Sequence, residues 1–358
     1  MSKVMIMAGG TGGHIFPAAA VAEALVQAGY EVSWLGSKRG MEGKLVPNMG
    51  YQFCGLPVTA WHGGKLRKLI APINLLRAFL ACVAIFKQQK PAAVIGFGGY
   101  ASAPGGVAAW LMKIPLILHE QNGVPGLTNK KLASKARTVL QAFPDTFEQD
   151  YAVVGNPVRE AMCQFENPEQ RQLGQSQQLK ILVLGGSQGA QSINSLLPEA
   201  LAKMSSLDAV DVWHQAGANK VADCQQAYQQ NGVEAKVVEF IDDMAQAYQW
   251  CDLVIARSGA ATVSELAAVG VYAILLPYPW HKDRQQFNNA MWLSKADAAE
   301  WYEHDDLNAE KLAERIDYWQ QHRTELQAAA MNSWQLGVRD SASRILKVIQ
   351  QILPEDKA

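Results

Sequence analysis

The chain has 358 residues, 49% of them hydrophobic and 18% charged, with a formal net charge of −1. That is more chain than one ordinary domain uses and enough apolar content for two cores, which excludes a disordered or fibrous protein. Five scattered cysteines (Cys54, Cys82, Cys163, Cys224 and Cys251) with no C-x-x-C spacing exclude a disulfide scaffold and fit a reduced compartment.

The first strand is predicted at 3–8, directly after Met1-Ser2, so no signal peptide is expected. No run of about 18 apolar residues offers a membrane span. Further strands are predicted at 31–35, 93–96, 115–118, 137–140 and 152–154, with helical sequence between them. This alternation predicts an α/β fold with a parallel sheet covered on both faces. Within this half, 65–90 reads as a helix starting at Ala71-Pro72, with two apolar stripes. One is Ile73, Leu76, Leu80 and Val83; the other is Leu75, Phe79, Cys82 and Phe86. A single core needs one stripe. With Lys65, Arg67, Lys68, Arg77, Lys87 and Lys90 around it, the segment reads as an interfacial helix touching an anionic membrane through Ile73, Leu75, Phe79 and Phe86. Gly155-Asn156-Pro157 is a hinge candidate, and 164–178 reads as helix plus surface loop. Strands are then predicted near 180–184, 209–213, 235–239, 252–256 and 273–276, and the chain past Leu307 is helical. The division expected is 1–158 and 159–337, with a final helix at about 338–358 returning to the first domain.

Charge is unevenly divided. Residues 1–158 carry 15 Lys and Arg against 7 Asp and Glu, whereas 159–358 carry 17 against 26. The basic half therefore meets something anionic. No basic run with interleaved aromatics marks nucleic acid, so a membrane surface or a phosphorylated substrate is favoured.

Chemistry concentrates in glycine turns that follow strands. Residues 9–14 read G-G-T-G-G-H and 185–190 read G-G-S-Q-G-A, each before a helix. Glycine lets a backbone approach a ligand closely, and a helix N-terminus attracts anions. A third cluster spans Gly96 to Gly106. A dinucleotide fingerprint fails because Ile15 stands where its third glycine belongs and Glu31 begins the second strand instead of ending it. No P-loop motif occurs. Gly185-x-Ser187-x-Gly189 also fits a serine-hydrolase elbow, with His214 and His281 available downstream; that reading explains one glycine turn where phosphate cradling explains both. Thr262-x-x-Glu265 is either a capping box or places Glu265 beside a ribose. No metal-ligand spacing and no D-x-D are found, so no metal and no cofactor are expected, and a diphosphate would rely on helix ends and hydrogen bonds.

Seven motifs occur in order: G-G-T-G-G-H at 9–14, G-F-G-G-Y at 96–100, H-E-Q-N at 119–122, G-N-P-V-R at 155–159, G-G-S-Q-G-A at 185–190, R-S-G-A-x-T-x-S-E at 257–265 and H-K-D-R-Q-Q at 281–286. Together they closely resemble the MurG family of bacterial cell-wall glycosyltransferases. The resemblance implies a GT-B fold, two Rossmann-like domains with a cleft between them. It implies inverting, metal-independent transfer of N-acetylglucosamine from UDP-GlcNAc to lipid I, giving lipid II, at the cytoplasmic face of the inner membrane. By the same resemblance Ile241 and Arg159 serve the uracil and Glu265 the ribose. Ser187 with the Ala260–Thr262 turn (Ala260, Ala261, Thr262) holds the diphosphate, Thr11, Gly12 and Gly13 complete that side, and Val263 and Ser264 also belong to the donor site. Asn122, Gln285 and Gln286 serve the sugar, while Gly98, Gly99 and Tyr100 face the acceptor. His14 or Glu120 takes the acceptor's proton; imidazole exchanges protons near neutral pH, and His14 ends a glycine turn at a helix start. Tyr272 replaces a frequent proline, and Tyr278-Pro279-Trp280 lengthens the loop before His281. A UDP-GlcNAc 2-epimerase of the same fold is the alternative within this class.

Overall fold

The computed structural model describes residues 2–57, 65–171, 176–186 and 189–353, with backbone only for 65–71. It divides into two compact units, Met1–Arg159 with Arg339–Ala358, and Glu160–Val338.

The strands of the first unit are β1 (Lys3–Met7), β2 (Glu31–Ser37), β3 (Gln52–Leu56), β4 (Ala93–Gly96), β5 (Leu116–Glu120), β6 (Thr138–Gln141) and β7 (Ala152–Val153). Its helices are α1 (Gly12–Gln27), α2 (Glu42–Asn48), α3 (Lys65–Gln89), α4 (Ser102–Leu111) and α5 (Leu127–Leu132). The strands form one parallel sheet in the order β3-β2-β1-β4-β5-β6-β7. Strand periodicity separates its two faces. Val4, Ile6 and Ala8 join one core with Ile15, Ala18, Val21 and Leu25 of α1; Met5 and Met7 join the other with Ala78, Cys82 and Phe86 of α3.

The second unit repeats the plan. Its helices are α6 (Glu160–Cys163), α7 (Gln191–Leu201), α8 (Val221–Gln230), α9 (Met244–Trp250), α10 (Ala260–Val269), α11 (Gln285–Ser294), α12 (Ala309–Gln321) and α13 (Arg323–Leu336). Its strands are β8 (Leu179–Leu184), β9 (Val210–Gln215), β10 (Lys236–Val238), β11 (Leu253–Ala256), β12 (Tyr272–Leu275) and β13 (Ala299–Trp301). They pair in parallel in the order β10-β9-β8-β11-β12-β13. After this unit the chain returns: α14 (Ser341–Ile352) packs on α1 and places Ile345, Ile349 and Leu353 in the first unit's core.

Four sequence expectations need correction. β3 and β13 are edge strands that no strong apolar alternation announced; Gln52–Leu56 and Ala299–Trp301 are each held by a single neighbour. Residues 164–171 are turns and extended chain, since α6 stops at Cys163. α3 begins at Lys65 with Pro72 inside it, so the proline removes one N–H without starting the helix. Of the four expected membrane residues, Ile73 and Leu75 are exposed but Phe86 is not. Ala78, Cys82 and Phe86 repeat at the helical period and are buried, with Phe86 1% exposed, so Phe86 serves the core and cannot touch a membrane. Phe79 is half-buried against the same core. Ile73, Leu76 and Leu80 are the outward residues, at 55%, 58% and 56% exposure, with Leu75 at 38%.

Candidate functional site

In a doubly wound sheet, ligands gather beyond the carboxyl ends of the strands where the winding reverses. In the first unit that point lies between β1 and β4. The turn Gly9–Gly13 leaves β1, and the turn Phe97–Tyr100 leaves β4. The two turns touch. Gly98 and Gly99 have φ of 96° and 87°, and a β-carbon on Gly99 would lie 2.3 Å from the Gly9 carbonyl oxygen, so only glycine fits there. Thr11 is the exposed N-cap of α1 and makes no side-chain capping bond, which leaves its hydroxyl and the N–H groups of Gly12 and Gly13 at a positive helix end. Part of this turn is structural: the buried Glu42 carboxylate accepts from the N–H groups of Gly10 (3.1 Å) and Ser37 (2.8 Å), and fills the space a side chain on Gly9 would need.

His14 follows, half-buried, with its ring against Gly98 and its Nδ1 2.8 Å from Gln121 Oε1. Gln121 Nε2 lies 2.9 Å from both His119 Nδ1 and the His119 carbonyl oxygen, and His119 Nε2 lies 2.9 Å from the Gly155 carbonyl oxygen. Full burial lowers the His119 pKa to about 4, so this ring is neutral.

Glu120 is not placed as an acceptor-facing base. It is 1% exposed, and both its oxygens are occupied: Oε1 by Asn122 N–H (3.1 Å) and Nδ2 (3.3 Å), Oε2 by Gly126 N–H (3.0 Å) and Asn129 Nδ2 (2.9 Å). Its carboxylate ties down the loop after β5. Asn122 and Tyr100 are half-buried near the two turns' ends of the sheet. Arg159 is exposed, groups with the first unit, and lies over the Phe16 ring at 5.3 Å.

In the second unit the winding reverses between β8 and β11. Gly185, Gly186 and Gly189 follow β8; Gly189 has φ of 67°, its carbonyl accepts from Lys220 Nζ (3.1 Å), and a β-carbon there would strike the Ala216 carbonyl. Ser187 lies outside the described residues. β11 leads through Arg257 and Ser258 to α10, whose N-cap is Gly259. The capping box is not formed, because Thr262 already sits inside the helix and Gly259 caps it without a side chain. Val263 is fully buried and its N–H bonds the Gly259 carbonyl, and Ser264 also faces inward, so neither side chain reaches a ligand. Ala260 opens the first turn and is itself buried, while Ala261, Thr262 and Glu265 are half-buried on the accessible side. Glu265 Oε2 accepts from the Tyr248 hydroxyl at 3.1 Å.

Gln286 is held from two sides: its Oε1 accepts from Tyr278 N–H (2.8 Å), and its carbonyl accepts from Ser258 Oγ (2.7 Å). Gln285 Nε2 donates to Asp283 (2.9 Å). Arg257 braces the same region, reaching the carbonyls of Leu276 and Pro277 and Ser192 Oγ, and burial lowers its pKa. Ile241 is half-buried in the loop after β10. His214, the hydrolase alternative's base, is fully buried between the Tyr228 hydroxyl and Asn194 Oδ1, closed to any substrate. Sequence reasoning missed Glu42, Gln121, Tyr248, Arg257 and Lys220. Gln121 and Arg257 lay inside quoted motifs; Glu42, Tyr248 and Lys220 carry no spacing signal and become visible only when strands bring them together.

Two doubly wound units in one chain, each with glycine turns at the winding reversal, define the GT-B class of nucleotide-sugar enzymes. Residues 4–141 match the glycosyltransferase family 28 N-terminal domain and residues 180–345 match the family's C-terminal domain. The UDP-N-acetylglucosamine–N-acetylmuramyl-(pentapeptide) pyrophosphoryl-undecaprenol N-acetylglucosamine transferase of Proteus mirabilis is 44% identical over 98% of both chains. The same-named enzyme of Haemophilus influenzae is 45% identical over 98% of each. The crystal structure of Acinetobacter baumannii MurG superposes with a TM-score of 0.86 at 35% identity, covering 98% of this chain and 100% of that one. The chain belongs to glycosyltransferase family 28, among the MurG transferases. A UDP-GlcNAc 2-epimerase from Neisseria meningitidis shares the fold, with a TM-score of 0.67 at 12% identity over 98% of this chain and 100% of that one.

Proposed function

We infer that this protein transfers N-acetylglucosamine from UDP-GlcNAc to lipid I, giving lipid II. The observation that carries the reading is full-length identity of 43–45% to transferases so named. In this reading the donor sits mainly on the second unit. Ile241 and Arg159 serve the uracil, Glu265 the ribose hydroxyls, and Ser187 with the Ala260–Thr262 turn the diphosphate. Gln285, Gln286 and Asn122 address the sugar. In the first unit Thr11, Gly12 and Gly13 complete the diphosphate side, and Gly98, Gly99 and Tyr100 face the acceptor.

The acceptor hydroxyl attacks the anomeric carbon opposite the departing UDP and inverts it, with His14 taking the proton. Charge growing on the diphosphate is met by the N-terminus of α10, whose first N–H groups are aligned for an anion. The lipid part of the acceptor requires a membrane surface. Among the described residues no helix is long and apolar enough to cross one. We place the contact on α3, where Ile73, Leu76 and Leu80 are exposed beside Arg77, and on neighbouring α4, which exposes Trp110 and Leu111. The protein then works as a peripheral enzyme of the cytoplasmic face.

The deciding experiment measures UDP release from UDP-GlcNAc with and without a lipid I analogue. Release that depends on the lipid, with the sugar recovered on it, supports the transferase. Acceptor-independent release with a free 2-epimerised sugar would replace it with the epimerase.

A further inference from the structure

We propose that Gln121 and His119 are positioning residues that lock the His14 imidazole in its Nδ1–H tautomer, leaving Nε2 as the atom that accepts a proton. The inference rests on the reading of His14 as the base.

The argument runs inward from two groups that can only accept. Gly155, a turn glycine with φ of 78°, points its carbonyl oxygen at His119 Nε2, 2.9 Å away. A carbonyl cannot donate, so His119 Nε2 carries the proton and Nδ1, in this neutral buried ring, is a bare acceptor. The second fixed group is the His119 carbonyl. It and His119 Nδ1 both lie 2.9 Å from the same atom of Gln121, so that atom is the amide nitrogen, donating one hydrogen to each. Flipping the amide would set its oxygen against two acceptors in a place where Gln121 is fully buried. The orientation leaves Oε1 facing His14 Nδ1 at 2.8 Å, and an amide oxygen there requires Nδ1 to hold the hydrogen.

His14 Nε2 is the remaining lone pair and meets no hydrogen-bonding partner among the described residues. A β-carbon on Gly98 would lie 3.2 Å from His14 Cε1 and 3.4 Å from Nδ1, so the ring occupies space that a larger residue at 98 would contest. When the acceptor oxygen bonds to the anomeric carbon, its proton passes to Nε2, and the electron pair of the breaking sugar–phosphate bond leaves with UDP. The Nδ1–H···Oε1 bond is the same before and after, so the relay needs no rearrangement during the transfer. The three residues belong to separate parts of the sequence, His14 on α1 and the other two at and after the end of β5; the sheet brings them together.

The test uses full-length protein labelled with 15N-histidine and long-range proton–nitrogen correlation spectra at mildly alkaline pH, where imidazoles are neutral. The His14→Gln spectrum assigns the His14 signals. Wild type should show His14 protonated on Nδ1 and His119 protonated on Nε2. His14 carrying its proton on Nε2 would overturn the proposal, with no variant needed. Gln121→Leu removes the acceptor and should shift His14 toward the Nε2–H form. With both substrates saturating, its kcat should fall at least about tenfold while the KM for UDP-GlcNAc stays within about twofold, the split expected for a lost base. Gln121→Glu keeps an acceptor toward Nδ1, while its second oxygen meets the two His119 acceptors and must carry a proton to donate to one of them; the variant should retain the Nδ1–H form and part of kcat. If Gln121→Leu leaves the tautomer unchanged, the relay is refuted. If the tautomer shifts and kcat does not, the relay stands and His14 is not the base.

Discussion

The Tyr248 hydroxyl, on α9, donates to the Glu265 carboxylate on α10 at 3.1 Å, although Tyr248 itself is fully buried. The bond fixes one carboxylate oxygen from behind and aims the side chain of a residue that caps nothing. Glu265→Gln should weaken UDP-GlcNAc binding at least tenfold by titration calorimetry, roughly the loss of a charge-assisted contact. Tyr248→Phe should weaken it by about two- to tenfold, since it removes only the support. Donor affinity equal to wild type in Glu265→Gln would remove Glu265 from the ribose.

Glu120 should behave as a structural residue. Its replacement by alanine strands the buried donor of Asn129 and the half-buried donors of Asn122 and Gly126 and should cost about 3 kcal/mol in urea unfolding. Turnover per folded molecule should fall by less than the 10²–10⁴-fold typical of a lost base. An unchanged unfolding midpoint with turnover down by that factor would return the base role to Glu120.

On α3 the two apolar faces predict opposite phenotypes. Leu76→Ser with Leu80→Ser should reduce sedimentation with anionic vesicles by about tenfold or more, as lost insertion of two leucines requires, and leave the unfolding midpoint near wild type. Phe86→Ser opens the core and should destabilise by about 3 kcal/mol or more. Vesicle binding that survives the double substitution would move the membrane contact off this helix.

Two buried imidazoles set an acid limit. Burial lowers the pKa of His119 to about 4 and of His214 to about 3, against about 6.5 in an unfolded chain. Below about 6.5 the unfolded chain binds protons that the native state refuses, so stability is whole above that pH and drains as pH falls toward 4 and then 3. The loss from His119 alone is on the order of 3 kcal/mol. Melting temperature should therefore drop across this window, and His214→Gln should flatten the slope. An identical slope in that variant would exclude His214 as a source.

What was legible in the sequence followed from strong local signals. Apolar runs ending in glycine turns gave β1, β4, β8 and β11, and with them the two winding reversals. β3 and β13 were illegible because an edge strand is half-solvated and its pairing, not its composition, makes it a strand. The two stripes of α3 were both visible, but which one faced inward depended on where Ala78 and Cys82 met the sheet. Gly9 belongs to a turn that reads as a phosphate cradle, and it also makes room, with Gly36 and Gly40, for the Glu42 carboxylate; the Gly9 contact is long-range and leaves no trace in local spacing. His14 stood out by position; the tautomer that suits it as a base is written in hydrogen bonds spanning 107 residues of sequence.

The return of α14 to the first unit has a consequence for synthesis. The second unit is a continuous stretch and can fold as soon as Val338 has cleared the ribosome. The first unit, although translated earlier, must wait with the apolar surface of α1 uncovered until Ile345, Ile349 and Leu353 emerge. The half of the molecule made first is therefore finished last, and a ribosome that stalls or terminates within the final helix leaves an intact second unit tethered to an aggregation-prone nascent partner.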